Sequence, residues 1–207
     1  MADLKSMSGK EKREYIWDYY KLHILGGAFV LFFIVSFVYG QITKIDYVAN
    51  LTIVAGVGYD SKVPELEKQI TELVVKDGDK KKSAAVDVIP IENQETPDAQ
   101  LLQKFTVKMA AKEIDVAVLD KVMFNNIVKQ EGCMQLDTMS EIDLTAVKGE
   151  KVEGTTDNGT KGVFAISAKG NSILESLGVN TESKVIAIMN TTTRKDTAIE
   201  IFKWLTK

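Results

Sequence analysis

Cysteine and histidine are nearly missing from this chain of 207 residues, with Cys133 and His23 the single example of each. One thiol closes no disulfide, and one thiol with one imidazole falls short of a Cys/His zinc site. A Ser–His–Asp or Cys–His centre is nearly excluded as well, because the lone His sits beside a hydrophobic run. Proline is scarce at 3 residues, while 45% of the chain is hydrophobic and 27% is charged, which excludes a disordered chain and a collagen. An excess of positive charge is absent too. With 26 Lys and Arg against 29 Asp and Glu the net charge is −3, so the basic footprint of a nucleic-acid binder is missing. The length suits one ordinary domain plus a small extra, or two very small domains.

The strongest positive signal is Leu22 to Ile42, LHILGGAFVLFFIVSFVYGQI, with no charge between Ile24 and Tyr39. About 20 helical residues cover about 30 Å, the thickness of a bilayer's hydrocarbon core. A buried core helix would show an amphipathic pattern, whereas this run is apolar on every side. Residues 22–42 are therefore expected to form a transmembrane helix. Lys5, Lys10, Lys12, Arg13 and Lys21 precede it and only Lys44 follows closely, which predicts a cytoplasmic N-terminus and an exported remainder. Tyr15, Trp17, Tyr19 and Tyr20 crowd the cytoplasmic edge, where amphipathic rings favour the headgroup level. Segment 1–21 is thus cytoplasmic and interfacial, with 10–21 expected as a short interfacial helix. An uncleaved anchor fits these dimensions, and Val38-Tyr39-Gly40 leaves a cleaved signal peptide as the alternative. His23 lies near enough to the interface to snorkel beside Lys21.

Residues 45–207 have a mildly acidic balance and are long enough to hold one hydrophobic core without a disulfide. Strands are expected at Tyr47–Val57, Ala84–Ile91, Ile114–Leu119, Gly162–Ala168 and Lys184–Met189. Amphipathic helices are expected at Ser61–Lys76, from Thr96-Pro97 through Met109, after Asp120 to Lys129, at Ser172–Leu177 and at Arg194–Thr206. Residues 138–160 are polar, with a turn at Asp157-Asn158-Gly159. Strands that are apolar throughout, separated by such helices, predict a three-layer α/β domain with a mostly parallel sheet covered on both faces.

Three stretches carry a resemblance. DVAVLDKVMFNNIVKQEGCMQLD (115–137), GVFAISAKGNSILESLGV (162–179) and VIAIMNTTTRKDTAIEIFKWL (185–205) resemble segments of bacterial extracellular solute-binding proteins. KEKREYIWDYYKLHIL (10–25) is similar to the start of many small Gram-positive membrane proteins. Solute-binding proteins close two lobes on a solute and run to roughly twice this length. The resemblance therefore implies one lobe of that fold behind an anchor, without capture by closure.

In an open parallel α/β sheet, ligands bind beyond the carboxyl ends of the strands. Four segments are expected to meet there: Gly56 to Ser61, Asp120-Lys121, Ser167 with Asn171-Ser172, and Asn190 to Thr193. Gly58 lets backbone approach a ligand, Tyr59 offers a stacking face with a hydroxyl, and Asp60 and Ser61 add polar groups. Asp120, Asn190 and Thr191 complete the candidate ligand-binding set. The plainer reading is that Gly56 and Gly58 permit a bulge and that Asp60, Asp120 and Thr193 simply cap helices. Gly56-x-Gly58 lacks the rest of a dinucleotide fingerprint, and Asp77-Gly78-Asp79-Lys80 is too short and too basic for calcium. No catalytic set, metal or cofactor is expected.

These features together predict an extracytoplasmic, non-catalytic binding module in the cell membrane. Its partners would be the lipid bilayer and a membrane protein such as a transporter permease, with a small solute as a further ligand. It would serve as an accessory or sensing subunit of a transporter or envelope complex. A small-solute-binding protein for uptake and a structural tether are the alternatives, and an enzyme is the weakest reading.

Overall fold

The computed structural model describes residues 8–56, 61–91 and 98–207. The chain divides into two compact units, Met1–Lys44 and Ile45–Lys207. In the first, α1 (Gly9–Thr43) runs unbroken for 35 residues, about 52 Å at 1.5 Å per residue. Its stretch Lys12–Thr43 is long and apolar enough to cross a membrane, and none of its apolar window is buried within the protein. The expected separate interfacial helix at 10–21 is instead the first part of α1, since no proline interrupts it. Tyr15 stacks on Tyr19 (5.8 Å between ring centres), and Tyr20 meets Tyr19 and His23 edge-on.

The second unit is α/β, its elements alternating along the chain. β1 (Asp46–Val54), α2 (Val63–Val74), β2 (Lys82–Ile89), α3 (Ala99–Ala110), β3 (Val116–Asp120) and α4 (Lys121–Lys129) come first. A 3-10 turn at Leu136–Thr138 leads to β4 (Lys151–Thr155), β5 (Lys161–Ser167), α5 (Ser172–Ser176), β6 (Lys184–Ile188) and α6 (Lys195–Leu205). Pro64 fits the first turn of α2, which buries Leu66 and Ile70, one helical turn apart. The Asp98 carboxylate caps α3 by accepting from the Gln100 and Leu101 N–H groups at 2.8 and 3.2 Å. α6 buries Ala198, Ile201, Phe202 and Leu205, the face its periodicity predicts, together with Ile199.

The six strands form one sheet in the order β2-β1-β3-β6-β5-β4. β1 pairs in parallel with β2 and β3, whereas β3–β6, β6–β5 and β5–β4 are antiparallel. The mostly parallel sheet expected above is thus replaced by a mixed, mostly antiparallel one. Two features cause the difference. β4 arises from the polar stretch read as loop; its exposures alternate, and it forms a hairpin with β5 through a turn that holds Gly159 at φ +88°. β6 runs against β3, and a strand buried on both faces is apolar in either direction.

Both faces of the sheet are covered. Leu51, Ile53, Val116, Val118, Ile186 and Ile188 pack on one side with residues of α2, α5 and α6. Ala117, Leu119, Val185, Ala187 and Phe164 pack on the other with Phe105 of α3 and Phe124, Ile127 and Val128 of α4.

Candidate binding site

The carboxyl ends of β1 and β3 do lie side by side, but the groups there are committed to the fold. Asp120 was expected to cap α4 or meet a ligand, and its side chain does not cap that helix. One carboxylate oxygen accepts from Lys184 Nζ at 2.6 Å and the other from Ser183 Oγ at 2.7 Å. The same ammonium donates to the Val54 carbonyl at 2.7 Å. This knot is nearly dry, with the Lys184 and Asp120 side chains 7% and 15% exposed. Gly58, Tyr59 and Asp60 lie outside the described residues, and Ser61 is an exposed turn residue before α2. Asn171 caps α5, accepting from the Leu174 N–H at 3.1 Å, and donates to the Leu205 carbonyl at 2.6 Å.

Reversal of β6 carries Asn190 and Thr191 to the opposite end of the sheet. Asp120 faces Lys184 and Val116 faces Ile188, so Asn190, six residues beyond Lys184, stands more than a strand length from Asp120, about 20 Å. The proposed convergence of Asp120 with Asn190 and Thr191 therefore does not occur. Thr191 Oγ1 is buried and has no hydrogen-bond partner among the described residues.

The 190–195 loop is built over a buried charge that sequence reasoning passed over. Asp115 is fully buried. It accepts from the Asn50 N–H at 2.7 Å and Arg194 Nε at 2.8 Å, and its second oxygen accepts from Thr192 Oγ1. Arg194 also donates to the Tyr47 carbonyl at 3.2 Å. A buried carboxylate is tolerated only when so satisfied. The available signals were a lone Asp opening an apolar strand and one of only two Arg in a chain of 24 Lys. The network extends through Asn50, which donates to Asp87 at 3.0 Å, while Lys108 Nζ donates to the same oxygen at 2.6 Å. Burial opposes ionisation of Asp87, but the Lys108 ammonium and the Asn50 amide outweigh it and hold the carboxyl below its usual range.

Beside this loop, an open cleft of about 400 Å³ separates the β4–β5 hairpin from residues 131–139. Cys133, Met139 and Phe164 floor it, and Gln135, Asn158 and Asn190 stand on its rim. Asn158 donates to Glu131 Oε1 at 2.5 Å and Asn190 to the Glu131 carbonyl at 3.0 Å, so both amides are oriented. Burial pushes the Cys133 thiol up to about 12, so it is protonated at neutral pH and is no nucleophile. Glu131 and Lys195 line it as well, the one bonded to Asn158 and the other to Glu141, so an apolar floor under a polar rim bearing both charges suits a small polar ligand or a peptide segment. Among the described residues, no group of His, Cys, Asp and Glu is placed to hold a metal. No protein family, curated protein or solved structure matches the chain.

Proposed function

We propose that this chain is a membrane-anchored, non-catalytic binding module that acts as an accessory or sensing subunit of a transporter or envelope complex. α1 crosses the membrane with the N-terminus in the cytoplasm, and residues 45–207 present one solute-binding-like lobe outside. The observation that carries this reading is α1 itself, an apolar helix that the protein leaves unburied and that leads through Lys44 and Ile45 into a folded α/β unit. Non-catalytic work is supported by chemistry: the single His lies in α1, the single thiol is held protonated, and the buried carboxylates are neutralised by Lys or Arg. The cleft of about 400 Å³ favours, as a second reading, a tethered protein that binds a small solute.

The test is made on intact cells and native membranes. Full-length protein is expected to resist carbonate extraction, to lose its C-terminal unit to externally added protease, and to co-purify in mild detergent with a polytopic protein in near-equal amount. Release by carbonate, or a C-terminal unit digested only after lysis, overturns the anchor and its orientation. Purification alone, with no companion, overturns the subunit reading.

A further inference from the structure

β2 ends the sheet on its side, and no described residue extends the sheet beyond it. The carbonyls of Lys81 and Ile89 face β1, where they accept from the Asp46 and Ala55 N–H groups at 2.7 and 3.2 Å. Backbone groups alternate sides along a strand, so residues 82, 84, 86 and 88 direct theirs outward. Two of these outward donors are used: the Lys82 N–H by the Asp79 carbonyl at 3.0 Å, and the Ala84 N–H by Thr71 Oγ1 of α2 at 2.9 Å. Val86 and Val88 keep outward N–H and C=O groups that no described residue answers.

Edges of this kind are normally blunted by charge, proline or a bulge. Here Lys80 to Lys82 and Pro90 blunt the two ends, and Thr71 of α2 covers the edge at Ala84, which leaves Val86 and Val88. Between them the only charge is Asp87, whose carboxylate is turned to Asn50 and Lys108. Val86 of this stretch lines a cleft of about 540 Å³ that Glu67 of α2 and Lys108 of α3 bound and that reaches across β2 to Asn50 of β1 and Arg194. Glu67 lies one helical turn from Thr71, the residue that meets Ala84, and shares the cleft with Val86. The charges lining it do not balance. Lys108 is committed to Asp87 and Glu113, Arg194 to Asp115, and Glu67 enters no ion pair with a described residue.

We propose that the outer edge of β2 is a docking site for an extended peptide segment of a partner protein, added as a further strand with a Lys or Arg side chain meeting Glu67. Main-chain bonds to Val86 and Val88 would supply the pairing, and the uncompensated carboxylate the selectivity. A second copy of this chain fits less well: antiparallel pairing of two β2 edges about Val86 sets Glu67 against its own symmetry mate. Peptide capture here rests on the binding-module reading but not on the anchor, so failure of the carbonate or protease assay leaves it standing.

The experiment uses full-length protein in detergent and hydrogen exchange read at Val86 and Val88. The probes are an alternating Val-Lys peptide of about eight residues, an ordinary strand length, and its Val-Glu counterpart. The basic peptide is expected to slow exchange at both amides by about tenfold or more, and the acidic one to leave it unchanged. Val86→Pro removes an outward donor and abolishes the slowing at Val88. Glu67→Lys, a change at a half-exposed helix position that leaves the fold intact, transfers the preference to the acidic peptide. Unchanged exchange with millimolar basic peptide, or an equal response to both peptides, overturns the proposal. So does protection of these amides that rises with protein concentration alone, which would assign the edge to a second copy.

Discussion

Replacing Lys184 with Met separates a structural ion pair from a ligand site at the carboxyl end of β3. The change keeps most of the aliphatic stem but removes an ammonium that bonds Asp120 at 2.6 Å and the Val54 carbonyl at 2.7 Å. Asp120 then keeps only Ser183 as partner while its side chain is 15% exposed. Breaking a buried pair by removing one partner costs 3–5 kcal/mol, and the residual exposure of Asp120 places this case near the lower end, about 3 kcal/mol. For a unit of this size that is a fall in Tm of about 6–12 °C. The assay is denaturant unfolding of the full-length protein in detergent, followed through Trp204, which is packed at the edge of the core. Asp120→Leu should cost a similar amount, and the double variant less than the sum, because the pair is lost only once. A Lys184→Met loss within about 0.5 kcal/mol, the range of ordinary surface changes, or strict additivity in the double variant, would refute the ion pair's structural role and return Asp120 to the list of ligand groups.

Other outcomes follow from the same structure. Asp115→Ala leaves the Arg194 guanidinium and the Asn50 N–H without their acceptor, so a loss of about 3–5 kcal/mol is expected in the same unfolding assay. Asp87 is held below its unfolded range, so its contribution is complete above about pH 4 and is lost as pH falls through the folded value. Asp87→Asn should therefore flatten the decline of the unfolding midpoint at acid pH, and an unchanged acid limb would contradict this. With its thiol pushed up to about 12, Cys133 should resist a thiol-specific reagent at pH 8 until the protein unfolds, as seen by mass spectrometry of the labelled chain.

What was legible in the residues followed their strongest local signals. Leu22 to Ile42 has no polar face, and α1 results. Ala198, Ile201, Phe202 and Leu205 share one helical stripe, and all four are buried. β1, β2 and β3 formed within a few residues of the expected limits. Strand direction was not legible, and the candidate site depended on it. VIAIM after Lys184 is apolar at every position, so it packs equally well whichever way it runs. Charge does not decide the matter either. β3 is bracketed by Asp115 and Asp120, and β6 with its following loop by Lys184 and Arg194. Antiparallel pairing matches Lys184 with Asp120 and Arg194 with Asp115. A parallel arrangement would simply exchange the two matches. What distinguishes the ends is shape. Arg194 reaches Asp115 through Nε while Nη1 reaches the Tyr47 carbonyl at 3.2 Å, a forked geometry that a lysine lacks. The single ammonium of Lys184 suits the tighter end, where one carboxylate oxygen and one carbonyl converge on it. A rule that locates ligands at strand carboxyl ends carries any error in direction with it, and reversing β6 alone was enough to part Asn190 from Asp120.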